Sequence, residues 1–167
     1  MTREVAGIVM LALAVIGLAL MLWGWRRRRA RDAGVRVPTG APTGAHVASF
    51  SGFYVATTRR DAPLDRITAR PLAFRAQADI EMTTDGLALA LPGEETVFIP
   101  AGAISGVGRA TWTIDRVVER DGLVVVSWTA ADAELDTYLR LQDDDPSRLI
   151  EAVSSQAATD TSSGATR

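Results

Sequence analysis

The chain has 167 residues, a formal net charge of −2, no cysteine and no lysine. Without cysteine there is no disulfide framework, thiolate nucleophile or cysteine-ligated metal, and without lysine there is no Schiff base and no phosphate-loop ammonium. The length accommodates one membrane anchor and one small domain.

After a short N-terminus (residues 1–4), Val5 to Trp25 run for 21 residues without a charge and give way at once to Arg26, Arg27, Arg28 and Arg29. At about 1.5 Å per residue such a helix reaches about 30 Å, the hydrocarbon thickness of a bilayer. A cleaved signal peptide carries its positive charge before the apolar core and small residues after it. Here Arg3 is offset by Glu4 and the exit is Trp23, Gly24, Trp25 and arginines, so the segment is expected to stay as an anchor. Six arginines (26, 27, 28, 29, 31, 36) against Asp32 follow the span, which places that side in the cytoplasm and residues 1–4 outside. Trp23 and Trp25 suit the inner interface, where an indole buries its ring and keeps its N–H near water. The span has no small residues four apart and no ionisable group, so neither close helix pairing nor an ion path is indicated.

Residues 26–48 read as a basic juxtamembrane segment and flexible linker, rich in Pro, Gly, Ala and Thr, with a repeat at Pro38-Thr39-Gly40 and Pro42-Thr43-Gly44. The domain is expected over 49–154, as short apolar runs between turn dipeptides, the pattern of antiparallel strands. The predicted strands are Phe50 to Thr57, Leu72 to Phe74, Ala78 to Met82, Leu87 to Leu91, Thr96 to Ile99, Ile104 to Val107, Trp112 to Val118, Leu123 to Thr129 and Leu135 to Leu141, with Thr58 to Arg70 a long connection. Asp85-Gly86 and Asp121-Gly122 supply the positive φ angles of tight hairpins. In the last strand Leu135, Leu139 and Leu141 share one face, with Asp136, Tyr138 and Arg140 on the other. Trp112 and Trp128, with Ile114, Val124 and Val126, alternate as core residues do.

At Asp143-Asp144-Asp145-Pro146 the pattern changes. An Asp N-cap followed by Pro at the first helical position starts a helix, and Leu149, Ile150 and Val153 give it one apolar stripe. Capping accounts for the acidic triplet better than cation binding, which needs spaced ligands. Residues 155–167 form a small, polar tail expected to stay disordered.

From His46 to Gln156 ten arginines face seventeen acids, a net of −7, beside the positive collar. An acidic globule is repelled by nucleic acid and by anionic lipid, so nucleic-acid binding is disfavoured. His46, the only histidine, sits in the linker without a nucleophile or carboxylate around it, and no catalytic constellation, metal set or cofactor motif is present; the reading is that the chain is not an enzyme.

The outline is α+β: one transmembrane helix, then a small antiparallel β-barrel of about seven strands capped by a C-terminal helix. The span, the arginine collar, the Pro/Gly linker, FSGFYVATTRRDAPLDRITARPLAFRAQADI and the later ERDGLVVVSWTA resemble the small membrane-anchored pleckstrin-homology-like (PH-like) proteins of actinobacteria, often labelled export or membrane proteins. That resemblance implies a binding module. It also points to the loop between the first two strands, where such domains carry basic residues. In this chain Arg59, Arg60, Arg66 and Arg70 are the corresponding candidate contacts for anionic lipid or a partner, beside the interface set Trp23, Trp25, Arg26, Arg27, Arg28 and Arg29. The leading expectation is a module that recruits a protein partner to the inner face of the plasma membrane, through a strand edge or the groove beside the terminal helix. The alternatives are an accessory subunit of a membrane export assembly and an anionic-lipid sensor. The partners are therefore the bilayer and an unidentified protein, with no cofactor and no small-molecule substrate.

Overall fold

The computed structural model describes residues 3–32, 34–60, 62–110, 122–131 and 133–163. The chain divides into two compact units, residues 1–34 and 35–167.

The first unit is one helix, α1 (Arg3–Asp32). Its stretch Glu4–Arg27 is long and apolar enough to cross a membrane. Large apolar side chains from Val5 to Trp25 stand exposed along it, an arrangement that water disfavours and lipid does not. The helix does not stop at the arginines. Thirty residues at about 1.5 Å each reach about 45 Å, so part of the expected flexible segment is helical.

The second unit is an antiparallel sheet with a C-terminal helix. Its strands are β1 (His46–Arg59), β2 (Ala62–Arg66), β3 (Ala76–Thr83), β4 (Gly86–Ala90), β5 (Val97–Pro100), β6 (Ile104–Ala110), β7 (Leu123–Ala130) and β8 (Ala133–Leu141); α2 spans Pro146–Ser163. The order across the sheet is β5-β4-β3-β1-β8-β7-β6, with β2 paired to β1 outside that path. The long β1 is shared: residues 46–54 pair with β3 and residues 52–59 with β8. Where the two pairings overlap sits Gly52, flanked by Ala78 and Leu141. A Cβ there would lie 2.3 Å from the Arg140 carbonyl oxygen, so only glycine admits β8 this close. A bulge follows between Tyr54 and Ala56. It turns Tyr54 and Thr57 to the inside and leaves Val55 in a small outer cluster with Leu123 and Tyr138.

The expected barrel is not closed. β5 and β6 are successive in the chain, joined by a 3-10 turn at Ala101–Ala103, yet they are the two ends of the strand order. The turn bends away because the Ala101 N–H bonds the Asp85 carbonyl at 2.8 Å. Into the opening goes α2, which packs on β6, β7, β1 and the turn and buries Leu149 and Val153 completely. Fully burying two such side chains is worth about 1.5–3 kcal/mol each. Asp145 caps this helix by accepting the Ser147 N–H at 2.8 Å, and its carboxyl is held below the usual range chiefly by that bond.

Four further expectations are corrected. Leu72–Phe74 is a turn and not a strand: Leu72 is buried with its carbonyl taken by a side chain, while Phe74 is exposed. Within Thr58 to Arg70 the structure adds β2. The linker is partly docked, for Val35 is buried in the core and Thr39 bridges Val97. At the other end α2 runs on to Ser163. Trp128, Val124 and Val126 are fully buried as expected. The expected strand Trp112 to Val118, the core positions Trp112 and Ile114, and Asp121 of the second hairpin dipeptide lie outside the described residues.

Candidate functional site

A row of buried polar groups fixes the middle of the sheet. The Trp128 indole N–H bonds the Thr137 hydroxyl at 2.9 Å, Thr137 lies 2.9 Å from the Thr57 hydroxyl, Thr57 lies 3.1 Å from the Tyr54 phenol, and Tyr54 bonds the Leu72 carbonyl at 2.8 Å. β7, β8, β1 and the Leu72 turn are thus tied by one chain of hydrogen bonds. Burial pushes the Tyr54 phenol up from 10.0 to about 12, and burial likewise raises Tyr138.

The four candidate arginines do not converge on one point. Arg59 lies 3.6 Å from Asp65 across the β1–β2 hairpin. Arg60 reaches Glu134 at 3.1 Å and Asp136 at 3.8 Å, and also contacts the Ser105 hydroxyl. Arg66 donates to the Val55 carbonyl at 3.3 Å. Arg70, exposed, instead borders an open groove of about 460 Å³ with Val37, Thr39, Pro71, Gly93, Glu94 and Glu95. Three of the four cations therefore serve the domain's own carboxylates and backbone, and the fourth faces acids. On α1 the Arg27 guanidinium stacks 5.7 Å from the Trp23 ring centre. Trp25 and Arg26 are exposed, and the side chains of Arg28 and Arg29 lie outside the described residues.

His46 opens β1 and is exposed, its Nε2 2.7 Å from the Ser49 hydroxyl. Among the described residues no three His, Asp or Glu side chains are grouped so as to hold a metal ion.

The two sheet edges differ. Along β5 the chain's own Pro38–Gly40 lies antiparallel, the Phe98 N–H bonding the Pro38 carbonyl at 3.1 Å and the Gly40 N–H bonding the Thr96 carbonyl at 3.0 Å. This edge is occupied. Along β6 the described residues pair only with β7. The seven residues from Ile104 to Ala110 include no proline and one charge, Arg109, which turns to Asp145 at 3.4 Å and to the Ser147 hydroxyl at the start of α2. Gly106 has nothing within 4 Å of a would-be Cβ, and Gly108 meets only Val125 at 3.9 Å. Proline is the residue that would close such an edge, and among the described residues the outer side of β6 has no strand partner, so its outward backbone N–H and C=O groups can pair with another extended chain.

Sequence reasoning placed its candidate residues on cations and named a strand edge without saying which one, because pairing partners are set by topology. The one available signal was the Ile104-Ser105-Gly106-Val107-Gly108 run, whose paired glycines suggest close backbone approach.

A model of the family described as bacterial PH domain-like matches residues 33–154. A comparison with curated proteins finds no match for the chain.

Proposed function

The chain belongs to the bacterial PH domain-like family, and on that premise we propose that it is a membrane-anchored docking module that recruits a protein partner to the cytoplasmic face of the plasma membrane. In this reading α1 spans the bilayer with its N-terminus outside, since the arginines follow the apolar stretch. The Trp23–Arg27 pair sits at the inner interface, with Trp25, Arg26, Arg28 and Arg29 beside it. The observation that carries the docking role is the inequality of the edges: β5 is covered by Pro38–Gly40, whereas among the described residues β6 pairs only with β7 and turns every second residue's backbone groups outward. Strand addition gives affinity through main-chain hydrogen bonds and needs no enzyme chemistry from the host.

The test is crosslinking in intact cells expressing the full chain with a photoreactive residue at Ser105 on β6, and at Ala90 on β4 as the comparison. A discrete protein adduct from 105 and not from 90 supports the reading. Equal or absent adducts at both positions overturn it. Protease added to sealed cells checks the topology, since digestion of residues 35–167 would place the domain outside.

A further inference from the structure

Between α1 and β1 the chain does not hang loose. Val35 is buried in the core, Val37 packs partly against it, and Thr39 bridges Val97 of β5. Valines two residues apart put their side chains on one face of an extended chain, and Arg36 between them is exposed. Residues 35–40 thus lie along the β5 border as a strap.

Little holds this strap in place. Two backbone bonds join it to β5, from the Phe98 N–H to the Pro38 carbonyl at 3.1 Å and from the Gly40 N–H to the Thr96 carbonyl at 3.0 Å. Val35 is its one buried side chain; Val37 and Pro38 are half-buried, and Arg36, Thr39 and Gly40 are exposed. Pro38 has no N–H with which to extend the pairing. Val37 and Thr39 also line the open groove of about 460 Å³, so on that flank the strap is not packed against the domain. β3, by contrast, is paired along its length with β1 on one side and β4 on the other. Ordering the backbone of residues 35–40 for two bonds and one buried side chain leaves a small surplus, which puts the strap at the low end of local stability.

Its place in the chain makes release consequential. α1 ends at Asp32, and with the strap seated the first residue held by the domain is Val35, a tether of about 10 Å at full extension. Beyond Gly40, the next backbone hydrogen bonds among the described residues are those of Ala45, whose N–H donates to the Thr84 hydroxyl at 2.9 Å and whose carbonyl accepts the Thr84 N–H at 2.9 Å. From Asp32 to Ala45 the extended chain reaches about 45 Å.

We propose that residues 35–40 are a releasable strap. Seated, they cap β5 and keep the tether from α1 short; released, they lengthen it about fourfold and bare β5 to an extended segment with β-branched residues two apart. The strap is in effect a ligand carried in cis, and Val35 and Val37 state the chemistry of what can replace it. This concerns the border opposite β6 and does not depend on docking there.

The absence of native cysteine allows the strap to be locked. Thr39 and Val97 are paired between the two backbone bonds and not through them, an arrangement with Cα atoms about 4.5 Å apart that admits a disulfide. In the full wild-type chain in lipid discs, the amides of Gly40 and Phe98 should exchange with deuterium about a hundredfold faster than that of Ile80 in β3. In Thr39→Cys with Val97→Cys, oxidation should slow Phe98 to near the rate of Ile80, and reduction should restore its fast exchange. A labelled peptide of residues 34–40 should bind the reduced variant about tenfold more tightly than the oxidised one, because the lock removes the competent state. If Gly40 and Phe98 exchange as slowly as Ile80 in the wild-type chain, the strap leaves only when the domain unfolds and the proposal is overturned. If the peptide binds both forms alike or neither, β5 is overturned as the border that release exposes. Neither result touches crosslinking from Ser105, so failure here and failure of the docking reading are separable.

Discussion

Tyr54 gives its single phenolic hydrogen to the Leu72 carbonyl oxygen 2.8 Å away, and this orients every other bond in the buried chain that reaches Trp128. The carbonyl has no hydrogen to give, so the contact between Tyr54 and Thr57 must use the Thr57 hydrogen. Thr57 then accepts from Thr137, and Thr137 accepts from the indole. A group that only donates starts the row and a group that only accepts ends it, and each hydroxyl between gives one bond and takes one.

Breaking this row should cost more in its middle than at its end. Tyr54→Phe orphans the Leu72 carbonyl and should lower unfolding stability by about 1–3 kcal/mol. Thr137→Val deprives both the Trp128 indole and Thr57 of a partner and should cost more than Tyr54→Phe. Denaturant unfolding of the two variants in detergent checks the ranking, and changes within about 0.5 kcal/mol for both would contradict it.

Alkaline pH should weaken the fold through tyrosine alone. Tyr54 ionises near 10.0 when unfolded and near 12 when folded, so above pH 10 the unfolded state holds fewer protons and stability falls as pH rises. The stability in question, about 3 kcal/mol for two shifted units at about 1.4 kcal/mol each, is fully present below pH 10 and is lost as the pH rises to 12. Tyr138 shifts the same way and adds to the slope. The chain has no lysine or cysteine to titrate in that window. Unfolding measured across it should therefore show a slope that is much reduced in Tyr54→Phe.

Two glycines separate steric need from surface openness. Gly52→Ala drives a methyl to 2.3 Å from the Arg140 carbonyl oxygen and should destabilise by about 1–3 kcal/mol or prevent folding. Gly106→Ala meets nothing within 4 Å and should be neutral or slightly stabilising, because alanine loses less backbone freedom than glycine on folding. Parallel thermal unfolding of both variants reads the contrast.

Lysines at Gly106 and Gly108 should abolish partner capture without unfolding the domain. Both positions have room for a side chain, and charge on an edge strand opposes pairing. In the crosslinking experiment the adduct from Ser105 should drop several-fold in Gly106→Lys with Gly108→Lys, at unchanged thermal stability.

Much of this fold was legible. Alternation exposed β8, with Leu135, Leu139 and Leu141 inside, and the Asp-Pro signal located the start of α2 to the residue, though not its end at Ser163. Asp85-Gly86 marked the β3–β4 turn, where Gly86 has a φ of 156° and a Cβ would strike the Ile99 carbonyl. What failed did so because tertiary contacts overrode local composition. Pro38-Thr39-Gly40 has no strand pattern and is held extended by the β5 backbone; Leu72 sits in a turn because Tyr54 claims its carbonyl. The candidate arginines were found by position in the chain, but sequence gives no view of the carboxylates that Arg59 and Arg60 would meet. The exposure of Phe74 was invisible for the opposite reason, since a lone apolar residue reads as core until the fold leaves it outside.

Because Pro38–Gly40 seals one border of the sheet while, among the described residues, the other has no strand beyond β6, growth by strand addition has a single direction. Two such molecules joining bare border to bare border would exhaust both and leave sealed flanks outward. Head-to-tail stacking into a filament would require displacing the strip on β5, so self-association of the native form by this route ends at a pair.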